Sequence, residues 1–328
     1  MSRTRIAVVL AALAALILAG CGGMTESTNT GGGEIKKLTL IVPADPGGGW
    51  DQTARAMQKV LQDENLVSSA QVVNIGGAGG TVGLARLANE KDPNTLMVMG
   101  YVMVGAVETN KSRASLADTT PIARLTEESE VIVVPANSPY KTIEDLLDAA
   151  KEEGKGISIA GGSAGGADHI LAGQMYKAHG VDTKDLNYIP YSGGGESIAA
   201  LLGGKVSAGI SGVGEYAEQV KSGKLRALAV SGDEASDVLP DVPTLTDEGV
   251  DVNLTNWRGV VAPGSISDEQ ADALTDLVTE LHDSDAWKAA LKENGWADAF
   301  QTGPEFEAYL NDEIKTVRAT LREIGLVK

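Results

Sequence analysis

Five times the chain runs an apolar stretch into a glycine- or serine-rich loop and then into a helix-like segment. The segments are residues 41–51 (IVPADPGGGWD), 72–81 (VVNIGGAGGT), 157–166 (ISIAGGSAGG), 188–195 (YIPYSGGG) and 208–214 (AGISGVG). Glycine lets backbone N–H groups come close to a ligand, and a helix N-terminus behind such a loop favours negative charge. One loop of this kind means little. Five predict an α/β fold in which helix N-termini converge on a small anion.

Composition narrows the classes. The 328 residues are 43% apolar, enough for proper cores, and allow one large domain or two of ordinary size. Glycine, at 40 residues, stands well above the usual ~7%. Proline is low and no G-X-Y period exists, so the excess belongs to loops. Aromatics are 4%, which argues against stacking sugars or bases, and a net charge of −18 argues against nucleic acid. Local dipoles can still hold an anion in an acidic protein.

The N-terminus carries an address. Arg3 and Arg5 precede an apolar run over residues 6–19, short for a membrane span and right for a signal-peptide core. Leu18, Ala19 and Gly20 then lead into Cys21, the sole cysteine. Small residues before a lone cysteine resemble a bacterial lipobox, with Cys21 lipidated and residues 1–20 removed; an ordinary signal peptide with an incidental cysteine is the alternative. With one cysteine there is no disulfide framework and no cysteine metal site. Residues 21–33 read as a flexible polar tether. The expected location is extracytoplasmic, lipid-anchored to the cell membrane.

Two β/α series follow. Strands are predicted at 37–43, 71–75, 131–134, 157–160, 187–190, 206–211, 224–230 and 257–262, mostly parallel, with a third apolar run at 96–104. Helices are predicted from Asp51 as N-cap, over 82–89 with Thr81 as cap, after Thr142 as cap, and over 168–179, 196–202 and 215–221. Residues 233–252 form a connection rich in proline and acid, and helices at 268–282, 285–293 and 303–324 close the chain. The layout is bilobed, residues 34–130 plus 258–328 forming one lobe and 131–257 the other. Ligands of such folds sit at the carboxyl ends of the strands.

The loops supply the candidate ligand contacts: Gly47, Gly48, Gly49 and Asp51; Gly77, Ala78, Gly79, Gly80 and Thr81; Ser163, Gly165 and Gly166; Tyr191, Gly193 and Gly194; and Ser211. Capping alone would explain Asp51, but three successive glycines exceed what a turn needs. Lys and Arg are sparse in all five loops, so backbone N–H groups and hydroxyls are expected to neutralise the anion. Asp51 and Glu215 can repel an anion, accept from a substrate hydroxyl or amine, or cap helices; the sequence does not choose. His169 reads more readily as a packed or capping residue than as a ligand contact.

Enzyme and cofactor signatures fail one by one. After Gly77 and Gly79 a dinucleotide fingerprint needs a third glycine where Val82 stands, and no Gly-Lys pair is followed by Ser or Thr as in a Walker A loop. Residues 161–165 match G-x-S-x-G, with Ser163 as the nucleophile of a serine hydrolase. Such an enzyme needs an acid and then a histidine downstream. His169 and His179 lie too close behind Ser163, and His282 sits in an acidic helical stretch. No metal-ligand spacing is present. The expectation is a protein without catalytic residues, cofactor or metal.

The residues also carry a resemblance. Ile41-Val-Pro and Pro46-Gly-Gly-Gly-x-Asp51-x-x-Ala-Arg55 are followed by Asn74 with Gly77-Ala-Gly-Gly80, Pro190-Tyr-x-Gly-Gly194 and Leu202-Gly-Gly204. Then come Gly223-Lys-Leu-Arg-Ala-Leu-Ala229, Leu239-Pro-Asp-Val-Pro-Thr244 and Trp257-x-Gly-x-x-x-Pro263. This series, spanning nearly all of the chain after the leader, resembles the substrate-binding proteins of tripartite tricarboxylate transporters, the Bug-type receptors. The resemblance implies a bilobed periplasmic-binding-protein (Venus-flytrap, type II) fold, two β/α domains joined by a hinge. It implies a carboxylate held by the first two loops and delivery to a membrane permease with one large and one small subunit; family members differ in ligand (tricarboxylates, dicarboxylates, acidic amino acids, aromatic acids), and a citrate-like tricarboxylate or a dicarboxylate is expected here. A monomer is expected. A receptor presenting the same lobes to a signalling partner is the alternative. In the second loop, Asn74-Ile-Gly-Gly-Ala stands where the family usually has a proline or basic residue before the glycines, a departure that bears on the pocket's polarity.

Overall fold

Strand β1 (Lys37–Val42) pairs in parallel with β2 (Ser69–Asn74) on one side and β3 (Thr95–Gly100) on the other. Parallel neighbours need a crossover. Helix α1 (Gly49–Asp63) supplies it between β1 and β2, and α2 (Thr81–Leu87) between β2 and β3. In α1 the apolar positions Trp50, Ala54, Met57 and Leu61 recur at helical spacing, and all four are buried. Helix α3 (Tyr101–Thr109) follows β3 directly, so the apolar run at 96–104 is a strand that turns into a helix. The computed structural model describes residues 35–191 and 194–328. The leader, the tether with Cys21, and Gly193 lie outside them.

The long strand β4 (Thr119–Pro135) organises the rest. Its residues 119–129 pair antiparallel with β9 (Thr255–Pro263) and, on the other edge, residues 123–127 with β10 (Ala297–Thr302). From Glu130 onward it pairs antiparallel with β7 (Ala208–Gly212) and β8 (Leu225–Val230). Beyond β7 lie β5 (Ser158–Gly161) and β6 (Asn187–Pro190), parallel to one another, giving the order β2-β1-β3-β9-β4-β7-β5-β6. The sheet is therefore mixed rather than mostly parallel. Strands β1, β2 and β3 run parallel to one another, as do β5, β6 and β7, while β4 and β9 meet their neighbours antiparallel.

Helices α4 (Ile143–Glu153), α5 (Ala167–Ala178), α6 (Gly194–Leu202) and α7 (Val213–Lys221) serve the second series, and α8 (Asp268–Asp283), α9 (Asp285–Asn294) and α10 (Gly303–Glu323) close the chain. Thr142 caps α4 as expected: the Asp145 N–H donates to its hydroxyl at 3.1 Å while the Thr142 N–H donates to the Asp145 carboxylate. Along β4, Ile132 and Val134 join one hydrophobic cluster and Val131 and Val133 another, so the strand is buried on both faces. Among the described residues no helix is long and apolar enough to cross a membrane.

Two caps differ from expectation. Gly48, not Asp51, precedes α1, and Gly80, not Thr81, precedes α2. Asp51 instead sits in the first turn and reaches back to the loop, while the Thr81 hydroxyl donates to the Ala78 carbonyl at 3.0 Å. Glycine is required at Gly80, where φ is +92° and a Cβ would come within 2.8 Å of Met103 Cε and the Trp50 ring, whereas a Cβ at Gly48 would meet nothing within 4 Å.

Candidate functional site

The carboxyl ends of β1, β2, β5, β6 and β7 deliver their loops to a cavity of about 460 Å³, a volume suited to a small ligand. Gly48 and Gly49 line it from the first loop, and Gly77, Ala78, Gly79 and Gly80 from the second. Ser163, Tyr191, Gly194 and Ser211 line it from the other three. Gly47, Asp51, Thr81, Gly165 and Gly166 do not; they shape the loops from behind.

Asp51 shows how. Its carboxylate accepts from the Gly47 N–H at 3.0 Å, from Arg55 Nε at 2.8 Å and from Asn74 Nδ2 at 2.9 Å. Burial works against ionisation, yet the bonds from Arg55, Asn74 and Gly47 outweigh it and hold Asp51 below the usual carboxylate range. Asn74 Nδ2 also donates to the Ala44 carbonyl at 3.1 Å, so one carboxylate and one amide tie the first loop to β2.

The second loop takes positive φ at Gly77 (125°), Ala78 (50°), Gly79 (61°) and Gly80 (92°) in succession. Glycine accepts this freely; Ala78 is held there while its carbonyl accepts from Asn110 Nδ2 at 2.9 Å. In the third loop the Gly162 N–H donates to Asp168 at 2.5 Å, and Tyr188 Oη donates to the Gly162 carbonyl at 2.9 Å. His169 stacks on Tyr188 with ring centroids 4.0 Å apart, and its Nδ1 accepts from the Gly165 N–H at 3.1 Å. Burial pushes the imidazole down to about 4, so it is neutral at physiological pH. His179 bonds Asp148, and His282 bonds Asp283 and Asp298. The three histidines thus have their partners away from Ser163.

The cavity also holds a cation that the loops do not contain. Arg258, on β9, lines the cavity with Asn256, and its guanidinium lies against Gly49. It donates to Glu128 across 130 residues of sequence, both side chains being buried. Its Nη1 has no hydrogen-bond partner. Glu130, two residues on from Glu128 in β4, is fully buried and neither carboxylate oxygen is hydrogen-bonded. Burial, reinforced by Asp168, Glu128 and Glu215, pushes the Glu130 carboxyl well up. Burial likewise raises Glu128 in spite of Arg258, and raises Asp168 to about 7. Asp45, Trp50, Asn110, Asp168, Glu196 and Ser197 are among the other lining residues that the loops did not predict. Among the described residues no group of three His, Cys, Asp or Glu is arranged to hold a metal ion.

Comparison with known proteins gives the same picture. Residues 53–326 match the tripartite tricarboxylate transporter family receptor, TctC. Protein BugT of Bordetella pertussis is 28% identical over 296 residues, covering 88% of this chain and 90% of that protein. MatC from Rhodopseudomonas palustris, solved with bound malate, superposes with a TM-score of 0.78 at 23% identity, over 88% of this chain and 99% of the other. A second R. palustris protein, solved with adipate, gives 0.80 at 21% identity, over 88% and 97%. The fold is that of periplasmic binding proteins, and the chain belongs to the tripartite tricarboxylate transporter receptor family, TctC.

Proposed function

We propose that the protein is an extracytoplasmic substrate-binding lipoprotein that holds a small carboxylate and delivers it to a membrane permease of large and small subunits. The observation that carries the reading is Arg258 Nη1, buried and unpartnered at a cavity walled by glycine loops. A carboxylate supplies the acceptor this group lacks, and the loop N–H groups add further donors. The malate and adipate of the related structures support the chemical class. Cys21 is the proposed lipid attachment, after removal of residues 1–20, with residues 21–33 as tether.

Residues 34–130 plus 258–328 form one lobe in this reading and residues 131–257 the other, closing as monomers do around a hinge near residues 130 and 257. The partner exchange along β4 supports the division: Ser129 still pairs with Thr255 on β9, whereas Glu130 pairs with Gly212 on β7. Gly47, Asp51, Thr81, Gly165 and Gly166 then serve as loop supports, and Gly48, Gly49, residues 77–80, Ser163, Tyr191, Gly194 and Ser211 as contacts. Binding, not turnover, is the activity proposed.

A thermal-shift screen of ligand-free protein against citrate, malate and adipate tests the proposal. Ligand at about a hundred times Kd adds about 2.7 kcal/mol, a rise of several degrees for a chain of this size. A flat response to every carboxylate would contradict it. So would an esterase activity abolished by Ser163→Ala.

A further inference from the structure

Four carboxyl groups crowd one guanidinium at the cavity. Arg258 is the one cation among its described lining residues, and Glu128 already takes that charge in a buried ion pair. Asp168 and Glu215 line the cavity as well. Glu130 stands two residues from Glu128 along β4, on the same face of the strand. It is fully buried, and neither of its oxygens has a hydrogen-bond partner.

The neighbouring phenols spend their protons elsewhere. Tyr188 Oη donates to the Gly162 carbonyl at 2.9 Å, and Tyr216 Oη to Ser197 Oγ at 2.7 Å. Asp168 accepts from the Gly162 N–H at 2.5 Å, which leaves Glu130 beside it without a donor. A carboxylate ligand adds a fifth negative charge to this group, and like charges taken out of water repel strongly. Among the described residues no three His, Cys, Asp or Glu are arranged to hold a metal ion as counter-charge. A proton needs no such arrangement; a single carboxylate oxygen holds it.

We propose that the receptor binds its carboxylate together with a proton, taken up by the buried Asp168–Glu130 carboxyl pair as the anion enters. The inference rests on the carboxylate-receptor reading and adds a co-ligand to it. One proton passes from solvent to a carboxylate oxygen, and no bond in the ligand breaks. The groups facing the pair are Glu128 on β4, Glu215 and the Tyr216 phenol on α7, the Tyr188 phenol on β6, neutral His169 on α5, and Arg258 on β9. Burial raises Asp168 to about 7 against the Gly162 bond, with Glu215 and Glu128 adding to it. Glu130 is pushed well up by burial and then by Asp168, so the two titrate as a unit and Glu130 stays neutral. A bound anion raises the pair further. Just above neutrality the empty pair has therefore lost part of its exchangeable proton, and the occupied pair regains it. Carboxylate affinity falls as pH rises.

Calorimetric titration of the unaltered, ligand-free protein with malate and with adipate tests this. It is run at pH 7.5 and about 0.15 M salt in PIPES, HEPES and Tris, whose heats of ionisation differ. The dependence of binding heat on buffer should show uptake of about half a proton or more per ligand, and affinity should fall about tenfold from pH 6 to pH 8.5. Infrared difference spectra should gain a protonated-carboxyl C=O stretch on binding. Asp168→Asn fixes the neutral form, so uptake should vanish and affinity should become flat with pH. Should that variant fail to fold, the infrared band of the unaltered protein still assigns the proton to a carboxyl. Binding with no uptake, with proton release, or with uptake undiminished in folded Asp168→Asn would overturn the proposal and leave the carboxylate receptor standing. No binding of any carboxylate at any pH would overturn both.

Discussion

Arg258 donates from Nη2 to Glu128 Oε1, and the two side chains are only 4% and 3% exposed. The pair bridges β9 and β4, and Arg258 also lines the cavity, so it belongs both to the fold and to the site. Removing one partner leaves a buried charge without a counter-ion. Arg258→Met should cost about 3–5 kcal/mol, and Glu128→Leu added to it should recover much of that loss. Urea unfolding of the two single variants and the double variant measures the coupling. A double-variant loss equal to the sum of the two single losses would show that the pair itself contributes little.

Asp51 touches no part of the cavity, yet it fixes the loop that does. Asp51→Ala removes acceptors for Gly47, Arg55 and Asn74 and should destabilise by about 1–2 kcal/mol while weakening ligand binding. Its folded pKa is depressed, so the stability it contributes is present above about pH 4 and is lost on further acidification. Calorimetric affinity measured beside the unfolding curve separates the loop effect from the global one.

His169 has a sharper pH signature. Its pKa falls from about 6.5 unfolded to about 4 in the fold, so the stability it contributes is complete above pH 6.5 and is lost as pH drops toward 4. The loss is on the order of 2–3 kcal/mol. His169→Phe keeps the stack on Tyr188 and should flatten this part of the stability–pH curve. Asp168 has the opposite sign. Its raised pKa favours the folded state on acidification from about 7 to about 4, so Asp168→Asn should gain most over the native protein above pH 7. Ring nitrogen shifts by NMR would show His169 neutral at pH 6 with Nδ1 unprotonated.

Glycine is required at particular places in the loops rather than throughout. A Cβ on Gly49 would come within 2.8 Å of Arg258 Cζ, and one on Gly80 within 2.8 Å of both Met103 Cε and the Trp50 ring. Alanine at either position should lower ligand affinity about tenfold or more. Gly47, at φ +98° with nothing within 4 Å, should pay only the backbone strain of about 1 kcal/mol and keep most of its affinity. Affinity lost equally at all three positions would mean that loop flexibility, not contact, matters.

What the sequence made legible follows from how local each signal is. The helical spacing in α1, the Thr142 cap and the three C-terminal helices are written within a few residues, and they are found where expected. Residues 119–130 are rich in threonine and glutamate and contain Pro121, so they carry no strand pattern; pairing with β9 and β10 on both edges makes them one. The segment 297–302 is polar and gains its order only from β4. Glycines revealed the loops because close approach of backbone demands them. Arg258 and Glu128 stayed hidden because their partnership spans the chain, and an acidic stretch such as 127–130 reads as solvated surface until the sheet buries it.

Isothermal titration of the ligand-free protein, with Gly49→Leu as the blocked-cavity control, tests the central claim most directly. The cavity reading predicts one small carboxylate per chain, with binding lost when leucine fills the space beside Arg258. Carboxylate binding that survives Gly49→Leu in folded protein would place the ligand elsewhere and contradict it.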